Sequence, residues 1–165
     1  SKLANATLYF FCGKMGAGKT THSKSLATEK NAVLISEDEW LSRLFPNQIE
    51  NFEDYHHYAA RLRPLVEAHV TNILKTGTDV VLDFAANTER QRNWFRDLYN
   101  AAQAKGQLIY VKASDETCLA QLAKRRVEQP ERARFDNASV FEEVSSHFQE
   151  PDDQEGFDIE IIIRG

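Results

Sequence analysis

The chain is poor in the residues that staple, break or anchor a polypeptide. Of its 165 residues only two are cysteine, four proline, seven glycine and one methionine. Cys12 and Cys118 are far apart in sequence and each lies in an apolar context, which excludes a disulfide scaffold and reads as two core thiols in a reducing, cytoplasmic setting. No apolar run approaches the ~20 residues of a membrane span, and no charged-then-apolar leader opens the chain, so neither a membrane nor a secretory route is expected. Ser1 rather than Met at the first position points to a processed or recombinant start. A cationic excess is also missing. The net charge of −5 argues against broad, non-specific nucleic-acid binding. With 42% hydrophobic and 27% charged residues, and no repeat, low-complexity tract or linker, residues 1–165 are expected to form one globular domain.

Three of the seven glycines are concentrated in one stretch. Gly13 to Thr20 reads Gly-Lys-Met-Gly-Ala-Gly-Lys-Thr, a complete G-x-x-x-x-G-K-[ST] phosphate loop, directly behind the apolar run Thr7 to Cys12. A polyphosphate is wrapped by successive inward-pointing N–H groups, and Gly13, Gly16 and Gly18 keep side chains out of its approach. Lys14, Met15, Ala17 and Thr21 complete the cradle. Lys19 is placed to meet the β- and γ-phosphates of ATP, and the Thr20 hydroxyl to bind the Mg²⁺ that bridges them. The helix that follows, Thr21 to Lys30, would aim its positive end at the same anion.

Five short runs read as strands: Thr7 to Cys12, Ala32 to Ser36, Thr78 to Phe84, Gln107 to Lys112 and Asp158 to Ile163. Most are continuously apolar, which suits a sheet covered on both faces. Helical patterns separate them. Tyr55 to Ile73 recur at three- and four-residue steps up to Gly77, with Pro64 expected to kink the segment or start a second helix. Thr88-x-x-Gln91 has the form of a capping box for a helix reaching about Lys105, with Gly106 as its terminator. Ser114 to Glu116 opens another helix, and Ser139-x-x-Glu142 a last one. Strands alternating with helices predict an α/β fold with a parallel sheet.

Open parallel sheets bind ligands beyond the carboxyl ends of their strands, where two aspartates stand out. Asp38 follows the second strand and Asp83 ends the third. A kinase needs one carboxylate to activate the attacking hydroxyl and another near the metal. Ser36-x-x-Glu39 is also a capping-box pattern, which would make Asp38 a first-turn acid. Glu37 and Glu39 are expected to be solvated. A basic cluster, Lys124, Arg125, Arg126, Arg132 and Arg134, has the composition of a lid whose guanidiniums bind phosphate oxygens, centred on residues 126–136. An acceptor would enter between strands two and three, among Trp40, Arg43, His56, His57, Tyr58, Arg61 and Arg63.

Gly13 to Thr21, Ser36-Glu-Asp-Glu-Trp40, Arg61-Leu-Arg-Pro64, Val80 to Thr88 and Leu122 to Arg126 together resemble the small P-loop kinase group related to adenylate and gluconate kinases, polynucleotide 5′-kinases, chloramphenicol phosphotransferase and zeta-type toxins. The resemblance implies the three-layer P-loop nucleoside triphosphate hydrolase fold, with a five-stranded sheet ordered 2-3-1-4-5 and a helical lid. It implies Asp38 as general base, Asp83 at the metal, and Arg125 or Arg126 as the lid arginine on the nucleotide. The expected activity is ATP- and Mg²⁺-dependent phosphorylation of a hydroxyl on a small-molecule or nucleotide-like acceptor. Two alternatives stand beside it. A polynucleotide 5′-hydroxyl kinase is disfavoured by Leu41, where those enzymes carry arginine. A nucleotide-dependent switch or ATPase is disfavoured because no Asn-Lys-x-Asp motif occurs and Asp83 is followed by Phe84.

Overall fold

A computed structural model describes residues 5–165 of the chain. Five strands, β1 (Thr7–Cys12), β2 (Val33–Ser36), β3 (Val80–Ala85), β4 (Lys105–Ala113) and β5 (Ile159–Arg164), form one all-parallel sheet in the order β2-β3-β1-β4-β5. The connecting helices are α1 (Lys19–Lys30), α2 (Glu37–Leu44), α3 (Phe52–Lys75), α4 (Glu89–Ala101), α5 (Asp115–Glu128) and α6 (Ala138–Ser145). This is the α/β P-loop fold that the sequence predicts.

The central strand shows why the strands are continuously apolar. Leu8, Phe10 and Cys12 join the core shared with Leu62, Val66 and Val70 of α3 and Phe95 and Leu98 of α4, whereas Tyr9 and Phe11 join the core beneath α1, α5 and α6. Both faces of β1 are therefore dry, and alternation of polar and apolar residues disappears. Phe10 and Phe95 stack with centroids 4.6 Å apart. Burial pushes the Cys12 thiol up to about 12 and raises that of Cys118, so both are inert core groups.

Several expected element boundaries move. Pro64 neither kinks nor divides its helix; α3 runs unbroken over 24 residues from the Asn51 cap. Pro64 and Ala60, whose carbonyl loses the hydrogen bond, are both exposed, so the orphaned acceptor lies on the solvent side of the helix. Helix α4 stops at Ala101 rather than near Lys105, the left-handed turn falls on Gln103, and Gly106 lies inside β4. Gly106 is needed there for close packing, because a Cβ would collide with the Tyr99 ring. Thr88 caps α4 by accepting from the Gln91 N–H, but the Gln91 side chain bonds the N–H of Asn87, so the box is only half formed. Asn137, not Ser139, caps α6. Ser36 precedes α2 without a side-chain capping bond, so the second capping box is absent.

Candidate active site

The phosphate loop connects β1 to α1, and its glycines do more than clear space for a ligand. Gly13 and Gly16 have φ of 151° and 77°, and a Cβ would come within 2.6 Å of the Val111 carbonyl at Gly13 and 2.5 Å of the Cys118 carbonyl at Gly16. The loop is thus pressed onto β4 and α5 at positions that only glycine fits. Asn87, just past β3, accepts from the Gly13 N–H at 2.9 Å, and Arg164 of β5 donates to the Ala17 carbonyl at 2.8 Å. The Lys19 ammonium curls over the loop to donate to the carbonyls of Gly13 and Lys14. Burial pulls its pKa below the ordinary value, opposed by the nearby Asp83 carboxylate. Lys14 reaches outward to Asp115 at 2.9 Å, Ala17 is buried, Met15 packs on the core beneath α1, and Thr21 is exposed.

Thr20 and Asp83, expected to meet at a metal, are brought together: the hydroxyl donates to Asp83 Oδ2 at 3.1 Å. Parallel pairing sets Asp83 beside Ser36, and the β1–β3 register breaks next to it, with Phe10 opposite Leu82 but Phe11 opposite Ala85. That irregularity lies beside the phosphate loop. Burial raises the Asp83 pKa, the Thr20 hydrogen bond lowers it, and the charge of Asp38 raises it further. Among the described residues no three His, Cys, Asp or Glu side chains form a metal cage. A hydroxyl and one carboxylate fit a hard cation that keeps its remaining positions for phosphate and water.

Glu37 corrects the expectation that it is solvated: only 2% of it is exposed. The Tyr55 hydroxyl donates to Glu37 Oε1 and also lies 3.2 Å from Asp38 Oδ1, while Arg63 Nη2 approaches Glu37 Oε2 at 3.5 Å. Burial raises the Glu37 pKa against the lowering effects of Tyr55 and Arg63. Burial and the two carboxylates hold the Tyr55 phenol well above its ordinary value, so it stays a donor. Arg63 also sits 5.1 Å over the Trp94 ring, whose Nε1 donates to Glu67 at 2.7 Å. Asp38 itself, in the first turn of α2, is exposed.

The remaining acceptor-region candidates are divided. Arg43 is exposed and pairs with Glu39 at 3.5 Å; Arg61 lies over the Phe45 ring; His56 and His57 are exposed; Trp40 is half-buried; and Tyr58 bonds Gln48 at 2.8 Å. Only Arg63 reaches the carboxylates. Sequence reading missed Tyr55 as its partner, although the two lie two helical turns apart on one face of α3.

The basic cluster is organised by Asp136, a carboxylate that sequence reading passed over. Asp136 is fully buried. Arg125 holds it through two hydrogen bonds of 2.6 and 2.8 Å, Arg132 adds one of 2.9 Å, and Arg126 donates to its backbone carbonyl at 2.5 Å. Burial alone would raise the Asp136 pKa; the Arg125 and Arg132 bonds outweigh it and hold the group below the ordinary value. Arg134 stays outside this knot, exposed and 5.9 Å from the Phe135 ring centroid. The only local signal was the i, i+4 spacing of Arg132 and Asp136.

The fold recurs in solved structures. A candidate kinase from Chloroflexus aurantiacus superposes with a TM-score of 0.77 at 20% identity, over 98% of this chain and 87% of that one. The Mycobacterium tuberculosis APS kinase CysC, in complex with AMPPNP and APS, gives 0.60 at 19% identity over 98% and 90%. Kti12 of Chaetomium thermophilum, in complex with ADP-AlF3, gives 0.61 at 16% over 95% and 88%. A search of curated proteins found none that matches the sequence. A family model described as an AAA domain matches residues 8–151, which take in the phosphate loop, Asp38, Asp83 and the arginine cluster, and the chain belongs to that family.

Proposed function

We propose that the chain is a kinase that transfers the γ-phosphoryl group of ATP, with Mg²⁺, to a hydroxyl of a small-molecule or nucleotide-like acceptor. The observation that carries this reading is the convergence of two sets of groups at neighbouring strand ends. Lys19 and the Thr20–Asp83 pair lie beside β1 and β3, and Asp38, tied to Tyr55, lies just past β2. The kinase folds named above support it.

Lys19 exchanges its two carbonyl partners for the β- and γ-phosphate oxygens. Thr20 and Asp83 would hold the Mg²⁺, which would supply positive charge beside the transferring phosphoryl group. Asp38 accepts the acceptor's hydroxyl proton as the oxygen attacks phosphorus; the bond from the γ-phosphorus to the bridging oxygen breaks and ADP leaves. The Tyr55 hydroxyl, whose single proton goes to Glu37, turns to Asp38 Oδ1 at 3.2 Å when Asp38 is to be oriented, and the other Asp38 oxygen is left for the acceptor's proton. Arg126, whose partner is only a backbone carbonyl, supplies charge to the leaving phosphates, while Arg125 stays paired with Asp136. Leu41, buried in the core, offers no cation to a nucleic-acid end.

An Asp38→Asn variant separates binding from chemistry. It should keep ATP affinity and lose phosphoryl transfer; full transfer by that variant would overturn the base assignment.

A further inference from the structure

Among the described residues, strand β5 is the edge of the sheet and pairs with β4 alone. Its sequence, Ile-Glu-Ile-Ile-Ile-Arg, contains no proline or lysine to discourage pairing by its outer side. Leu108 N–H donates to the Asp158 carbonyl at 2.9 Å. Bonding residues alternate along a parallel ladder, so Asp158, Glu160, Ile162 and Arg164 turn their backbone groups to β4. Ile159, Ile161 and Ile163 turn theirs outward. Two of those outward residues carry apolar side chains into solvent: Ile161 is 57% and Ile163 79% exposed.

The strand is complementary to itself. When a second β5 runs antiparallel along the outer side, about a two-fold axis through Ile162, Ile161 lies opposite Ile163 of the copy as a hydrogen-bonded pair. Both residues have free backbone groups, so the register matches the ladder. Glu160 falls opposite Arg164, placing unlike charges across the junction on one face, and four isoleucines cluster on the other. We propose that this edge is a homodimer interface, in which two copies join their five-stranded sheets through antiparallel β5–β5 pairing. The occupant is another copy of the chain because one register satisfies the backbone, the isoleucines and the charges together.

The register is tested by paired cysteines at the exposed positions. Ile161→Cys and Ile163→Cys proteins are prepared separately, then oxidised alone and mixed; the native Cys12 and Cys118 are buried and do not compete. A hydrogen-bonded antiparallel pair sets Cα atoms about 5.5 Å apart, within disulfide reach. The expected result is a reducible species of twice the chain mass in the mixture only, with light scattering giving the dimer mass for the wild type and the monomer mass for Ile163→Glu. A wild-type monomer at the highest soluble concentration would overturn the proposal. So would cross-linking of either cysteine variant with itself as readily as in the mixture.

Discussion

The phosphate loop and the opposing wall of the site are built in different ways. The loop is a backbone object: its shape follows from glycines at Gly13 and Gly16, where a Cβ would strike a carbonyl, and from one short stretch of chain between β1 and α1. The wall and the lid are side-chain objects. Glu37 meets Tyr55 and Arg63 from another helix, and Asp136 gathers Arg125 and Arg132 from either side of a turn. The loop is therefore set by local backbone shape, and the wall and the arginine cluster by side-chain pairs from separate elements.

Perturbing the loop should cause the largest loss. Lys19→Ala should lower transfer by about 10³-fold, since it removes a charge aimed at the transition state, as single-turnover rates would show. Asp38→Asn, on the wall, should cost about 10²-fold in kcat with an unchanged Kd for ATP. Asp136→Asn should act on stability first. Its two arginine partners are 28% and 33% exposed, so solvent screening reduces the loss to about 2 kcal/mol near neutrality. Because the folded pKa of Asp136 is depressed, that contribution is complete above the ordinary 3.8 and vanishes as pH falls through the folded value. Thermal unfolding of wild type and variant should thus differ by a constant amount at neutral pH and converge in acid. Tyr55→Phe should lower kcat/KM about tenfold, because it removes the one hydroxyl that lies between Glu37 and Asp38. Arg134→Ala, outside the Asp136 knot, should change stability by under about 0.5 kcal/mol.

The same contrast explains what the sequence revealed. The loop, the five strands and Asp83 were readable because each is specified by neighbours in the chain: a glycine spacing, an apolar run, an acid at a strand end. Glu37 was misread because its burial depends on Tyr55 and Arg63, 18 and 26 residues away, and no local pattern announces such a partner. Asp136 carries no local signal beyond its i, i+4 spacing from Arg132, because its other partner, Arg125, comes from α5. Pro64 misled for the opposite reason: the local rule was sound, but an exposed helix face absorbs the lost hydrogen bond. Gly106 reads as a helix stop in sequence and proves to be a packing site against Tyr99.

The central claim is that loop and wall together move a phosphoryl group rather than only hold a nucleotide. The direct measurement is incubation with γ-labelled ATP and Mg²⁺ against a panel of metabolites, nucleosides and antibiotics, with Lys19→Ala alongside. The account predicts label on a hydroxyl of one acceptor class and none with the variant. Label released only as inorganic phosphate whatever hydroxyl compound is present, or equal transfer by Lys19→Ala, would contradict it.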